Sequence, residues 1–388
     1  RRWISQIVQE WINTLVQSAG IIRILPTFKD YPMSQSSRDL PAHTLERSSV
    51  SARTDWYAGP MIALVYPYLL MGYDAMRVSI SQGGGFWSWL GAGLMLLIAI
   101  VLPLWGLLTA TRLGKLHQPS AADVLARRVA FVSVAVAPMF TLTGVLFLLL
   151  GKPAWDVGFL TFMWAALMVM ISFADRTPLP RQPEPQSSHA NMRRWHGVAA
   201  ALAVVYLCFH FSNHLVGLIG ADAHLAVMKV LRVVYRSPLI EPLLIATFLF
   251  LVGSGAYMAW RMTRRPADAI RSFQIAGGVF LIFAVISHVN AVLYLARSYF
   301  NIETDWGFAV GAPAGLLHDA WNIRLLPYYL LAVFFVIAHA FCGLRGVMIA
   351  HRVNETTATR VLVAGIVFSA LVAVTIILAM AGLRIHFE

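Results

Sequence analysis

His210 and His214 lie four residues apart in an apolar run, WHGVAAALAVVYLCFHFSNHLVGLIG from Trp195 to Gly220, with Ser212 and Asn213 between them. Four residues make about one helical turn, so the two imidazoles project from one helix face. The run is long enough to cross a bilayer, since roughly 20 residues at about 1.5 Å each span a hydrocarbon core of about 30 Å. Polar side chains at that depth need a partner: a neighbouring helix, a wet path or a metal. Neutral imidazole can serve all three, as hydrogen-bonding group, proton carrier or metal ligand. Two further histidines, His288 in SHVNAVLY and His339 in HAFCGLRG, also fall deep inside apolar runs.

The elements that would position these side chains are membrane helices. The chain has 388 residues, 59% of them hydrophobic and only 12% charged, with a mean hydropathy of +0.68. A soluble domain holds about 25% charged residues. The fold class is therefore all-α, a polytopic membrane protein. Hydrophobic windows give nine spans, at about 58–76, 88–110, 129–150, 157–174, 196–219, 239–260, 272–296, 326–350 and 361–383. Loops rich in Arg and Lys alternate with poorer ones, which places the N-terminus in the cytoplasm and the C-terminus outside, as in a bacterial inner membrane. The net charge of +12 belongs to those loops, and no basic and aromatic surface points to nucleic acid. The loop 220–238 breaks the alternation, for it lies outside and yet carries Lys229, Arg232 and Arg236.

Four regions follow. Residues 1–57 form a tail, in which 1–32 are either upstream in-frame translation ahead of Met33 or an amphipathic surface helix. Residues 58–174 form a four-helix membrane region. The Pro- and Ser-rich stretch 175–194 is a cytoplasmic linker, and 195–388 form a five-helix membrane domain. Cys208 and Cys342 are the only cysteines, too few for a disulfide framework, a four-cysteine zinc site or an iron–sulfur cluster held by this chain alone.

Depth separates the histidines. At about 1.5 Å per residue, His210 lies about 13 Å and His288 roughly 12 Å from the outer ends of their spans, and His339 about 20 Å. Two level histidines on different helices are what bis-histidine haem ligation requires. Gly253, Ser254, Gly255, Gly277 and Gly278 would open a slot for the ring, and Arg232, Arg236 and Arg297 lie where its propionates would need cations. His214, one turn nearer the surface, is a weaker candidate. The same features also fit plain helix packing, with histidines bonded across helices and small residues at close contacts.

The segment from Trp195 to Arg261 resembles the membrane-anchor cytochrome b subunits of succinate dehydrogenase and fumarate reductase. It has HG near a helix start, then His210 within FHFSNHL, an outer loop with YRSPLIEP and a helix ending GAYMAWR. SHVNAVLY and HAFCGLRG extend the resemblance over about 193–383. It implies haem b held by the first and third helices of the five, hence by His210 and His288. It also implies quinone as electron partner, and soluble flavoprotein and iron–sulfur subunits on the cytoplasmic face. The second and fourth helices of the two-haem relatives supply another pair, but the sixth span has no His to oppose His339. One haem per chain is expected; a second would need His196 or His351. The rival expectation is a non-redox transporter or lipid-homeostasis protein with intramembrane histidines.

Overall fold

A computed structural model describes residues 42–116, 118–180 and 190–385, and the side chains of 54–116, 118–180 and 191–385. The expectations for residues 1–32 lie outside them. The described residues are helical throughout, without a β-strand; a single bridge joins Ser120 and Pro178. The helices are α1 (Ala42–Ser81), α2 (Phe86–Leu113), α3 (Ala121–Val134), α4 (Val136–Leu149), α5 (Asp156–Phe173), α6 (Ala190–Val216), α7 (Ala221–Tyr235), α8 (Ile240–Met262), α9 (Ala269–Val289), α10 (Trp306–Val310), α11 (Leu325–Ala350) and α12 (Glu355–Met380). A π-helix, Asn290–Tyr299, continues α9.

Seven of these elements are long and apolar enough to cross a membrane, eight if the bent pair α3 and α4 counts as one span. Phe162, Phe173, Val205, Leu249 and Leu371 stand exposed on them, as suits faces turned to lipid. Nine straight spans are not found. The expected span 58–76 lies in α1, which Pro60, Pro67 and its tyrosines keep too polar to qualify. That helix begins at Ala42, so it also takes in the end of the expected tail; Trp56 Nε1 donates to Asp123 Oδ1 at 2.7 Å. The span 129–150 is broken at Ala135, where α3 and α4 diverge by 72°. Pro138 accounts for the break: it has no N–H to bond the Val134 carbonyl, and its ring would clash there.

Local signals set the helix starts. Ser120 and Asp123 form a reciprocal capping box on α3, Asp268 accepts from Arg271 N at 2.6 Å to start α9, and Asn354 caps α12. Residues 49–388 form one compact unit. Its central helix is α9, which packs against α2, α3 and α4 as well as α8 and α11. Beside it α6 packs on α8 and α12, but α6 and α9 are not a closely packed pair. The first half also anchors the second through a buried ion pair of Asp156 with Arg324, with the Arg324 guanidinium 3.9 Å from the centre of the Phe140 ring.

Candidate functional site

The residues that come together are His210, His214, His224 and His288. His210 and His214 share one face of α6, with ring centres 4.7 Å apart. From α9, His288 approaches His210 to 6.0 Å, the rings inclined at 76°. Two imidazoles bonded to one metal from opposite sides, each at about 2 Å, have ring centres about 6 Å apart. Neither ring has a hydrogen-bond partner among the described residues, so their nitrogens are uncommitted. Tyr206, one turn before His210, stacks on it at 5.5 Å. His288 keeps exposed surface within its span and is followed at once by the π-helix. Such wide turns are rare and recur at functional sites.

His224 belongs to the site although the sequence reading passed it over. The stretch expected to be an outer loop is the amphipathic helix α7, whose buried residues are His224 and Met228, four apart. Beyond α6 the chain turns at Gly217, where a Cβ would overlap the Trp306 ring. That absence of a side chain lets Trp306 lie 4.8 Å from His224 and 6.3 Å from His214. The buried Asn213 amide donates to His224 Nε2 at 3.1 Å, which leaves the proton of the neutral ring on Nδ1. Burial first, and then the nearby Arg232, hold His224 down to about 4. His214 Nδ1, His224 Nδ1 and Asn213 Oδ1 are buried with no hydrogen-bond partner among the described residues. The signal for α7 was its 3.6-residue period of apolar residues.

His339 lies apart from this group. Its Nδ1 bonds to the Gln274 carbonyl at 3.1 Å, and its ring fits against Gly277 and Gly278. On α6, His196 bonds through Nδ1 to Ser254 Oγ at 2.7 Å, while Ser254 donates to the Phe250 carbonyl. His196 and His339 lie near enough to interact electrostatically. Of the small residues expected to open a slot at His210 and His288, Gly277 and Gly278 make room for His339, Ser254 and Gly255 sit beside His196, and a Cβ at Gly253 would meet nothing within 4 Å. His351 is exposed at the end of α11.

The arginines expected beside a cofactor already hold protein groups. Arg232 bonds Glu303 at 2.8 Å and the Thr304 carbonyl at 2.9 Å. Arg236 bonds Thr304 Oγ1 at 3.0 Å and pairs with Glu303 at 3.4 Å. Arg297 pairs with Glu241. Of the off-pattern cations, Arg232 and Arg236 thus share one carboxylate, Glu303. A cavity of about 470 Å³ opens between α8 and the π-helix, with Ile245, Leu249 and Leu293 in its wall and the Glu241–Arg297 pair at its edge. Neither His210 nor His288 lines it.

Among the described residues no cluster of three or more His, Cys, Asp or Glu has metal-holding geometry; a haem takes only two protein ligands, so that finding does not bear on the imidazole pair. Comparison with protein-family models, with curated proteins and with solved structures finds no match. The resemblance to cytochrome b anchors rests on the short motifs alone.

Proposed function

We propose that the chain is an integral membrane cytochrome that holds one haem b between His210 of α6 and His288 of α9. The observation that carries this reading is the pair of unbonded imidazoles 6.0 Å apart on helices that do not otherwise pack closely. When bound, haem supplies one-electron chemistry. His210 and His288 would hold the haem iron, and Tyr206 and the apolar walls of α6, α8 and α9 would keep water from it. Arg232 and Arg236, with donors beyond those given to Glu303 and Thr304, would place positive charge towards the propionates; Arg297, turned to Glu241, is the weakest of the three. By the resemblance over 193–383, electrons pass to or from quinone in the bilayer, with soluble flavoprotein and iron–sulfur subunits as partners.

The unsatisfied polar atoms of His214, His224 and Asn213 favour a second reading, a non-redox transporter or lipid-homeostasis protein with a wet path at this end. A pyridine haemochrome assay on the purified chain separates the two. One haem per chain is expected. Protein that carries none, when expressed with ample haem, would leave the transporter reading in possession.

A further inference from the structure

At the end of the bundle remote from α7, three arginines gather where α3 meets the turn after α8. Arg127 is 3% exposed, and its Nη1 donates to the carbonyls of Thr263 at 3.1 Å and Arg265 at 2.5 Å. Arg128 donates through Nε to Thr263 Oγ1 at 3.0 Å and through Nη2 to the Trp260 carbonyl at 3.0 Å, its guanidinium 3.3 Å from the centre of the Trp260 ring. Ala267 N bonds the Gly114 carbonyl at 2.8 Å. These bonds fix the turn 263–267 and so present Arg264 beside Arg128, where the two line one cavity.

The charge there is unbalanced. Arg127, Arg128 and Arg264 make no ion pair among the described residues, and Arg127 Nε and Nη2 are buried without a partner. The nearby carboxylates are otherwise engaged: Asp123 with Ser120 and Trp56, Asp175 with Thr177, Asp268 with the start of α9. Arg128 and Arg264, the two arginines that line the cavity, have no counter-ion among the described residues, and an arriving anion would supply one. The rest of the cavity wall is apolar, from Val124, Leu125, Leu179 and Pro180. Exposed Trp260, 58% accessible, is the residue type that marks the headgroup layer of a bilayer. The cavity is about 180 Å³, about six times the ~30 Å³ share of one liquid water. That suits a phosphate and part of its glycerol rather than a bulky sugar headgroup.

We propose that this corner binds the phosphate of an anionic phospholipid, Arg128 and Arg264 holding the headgroup and the apolar wall receiving the start of its acyl chains. Basic pockets between membrane helices select such lipids. The site is separate from the histidines and does not depend on whether they hold haem.

The test is native mass spectrometry of the full chain, delipidated in detergent and titrated with dioleoyl phosphatidylglycerol, dioleoyl phosphatidylcholine or inorganic phosphate. One phosphatidylglycerol should persist at activation energies that strip phosphatidylcholine. At about 1 kcal/mol for each arginine near the surface, Arg264→Gln and Arg128→Gln should each weaken it about fivefold. Arg264→Lys should retain most of the affinity, and Arg360→Gln, on α12, should change nothing. Arg264 is exposed, so its variants test binding without threatening the fold. Equal retention of phosphatidylcholine, or unaltered retention in Arg264→Gln, would overturn the proposal. Displacement of phosphatidylglycerol by inorganic phosphate would overturn the lipid assignment in favour of a free-anion site.

Discussion

Towards the α7 end of the helices, His210 and His288 face each other at 6.0 Å, with no hydrogen bond to either ring among the described residues. Towards the opposite end, His196 and His339 are each tied through Nδ1, one to Ser254 and the other to the Gln274 carbonyl. The first pair is placed ring to ring but not oriented. The second is oriented, its Nε2 atoms left free, but its tethers draw the rings towards α8 and α9. A metal-binding histidine ordinarily needs both position and a tautomer fixed by its other nitrogen. Position therefore sets His210 and His288 apart from the tethered pair, and under the proposal a metal held between them would itself fix their tautomers. Glycine works at both ends for different neighbours, Gly217 for Trp306 and Gly278 for His339.

The largest expected effect would break the comparison outright. His210→Ala and His288→Ala should each abolish stoichiometric haem in a haemochrome assay. His196→Ala and His339→Ala should keep it, and His214→Ala should lose only part. If the tethered pair proves essential while His210→Ala retains a full complement, the assignment moves to the opposite end of the helices.

The sequence made some of this legible and hid the rest for definite reasons. His210 and His288 could be put level because helix rise converts residue number into depth once the spans are known. His224 is not reached by the same route: α7 has 15 residues, too short for a window that detects spans, so hydropathy reads the stretch as a loop. The break at Ala135 was lost because hydropathy averages across Pro138. Nor can hydropathy say which neighbour a small residue faces: Gly277 and Gly278 lie against His339, not against the His210–His288 pair. The pairing of Arg232 and Arg236 with Glu303 joins residues about 70 positions apart, a contact that local pattern does not report.

A middle-sized effect separates the two glycines. Gly217→Ala should cost about 1–3 kcal/mol, the usual range for overpacking, because the new methyl group would overlap the Trp306 ring. At Gly278 the new Cβ would meet His339 Cε1 at 3.2 Å, and a helix gains about 1 kcal/mol from Gly→Ala. Gly278→Ala should therefore be close to neutral. Thermal unfolding in detergent compares them, and a Gly217→Ala loss as small as that expected of Gly278→Ala would show that Trp306 yields more easily than its packing suggests.

The smallest effect concerns acid. His224 is held neutral down to about 4, whereas in the unfolded chain it titrates near 6.5. Between those values the unfolded state binds more protons, so stability must fall as pH drops. Its contribution is fully present above about pH 6.5 and is lost on approach to about pH 4. His224→Gln should flatten that limb of a stability–pH curve. A slope unchanged in the variant would assign it to other groups.

The central proposal is that His210 and His288 hold a haem iron, and exchanging one of them tests it most directly. A reduced-minus-oxidised spectrum with a redox titration should be recorded for the parent chain, His210→Met and His288→Met. The parent should show b-type bands, and each variant that retains haem should show altered bands and a raised midpoint potential, since a His/Met pair holds the iron at higher potential. Bands and potential identical to the parent in both variants would contradict the account.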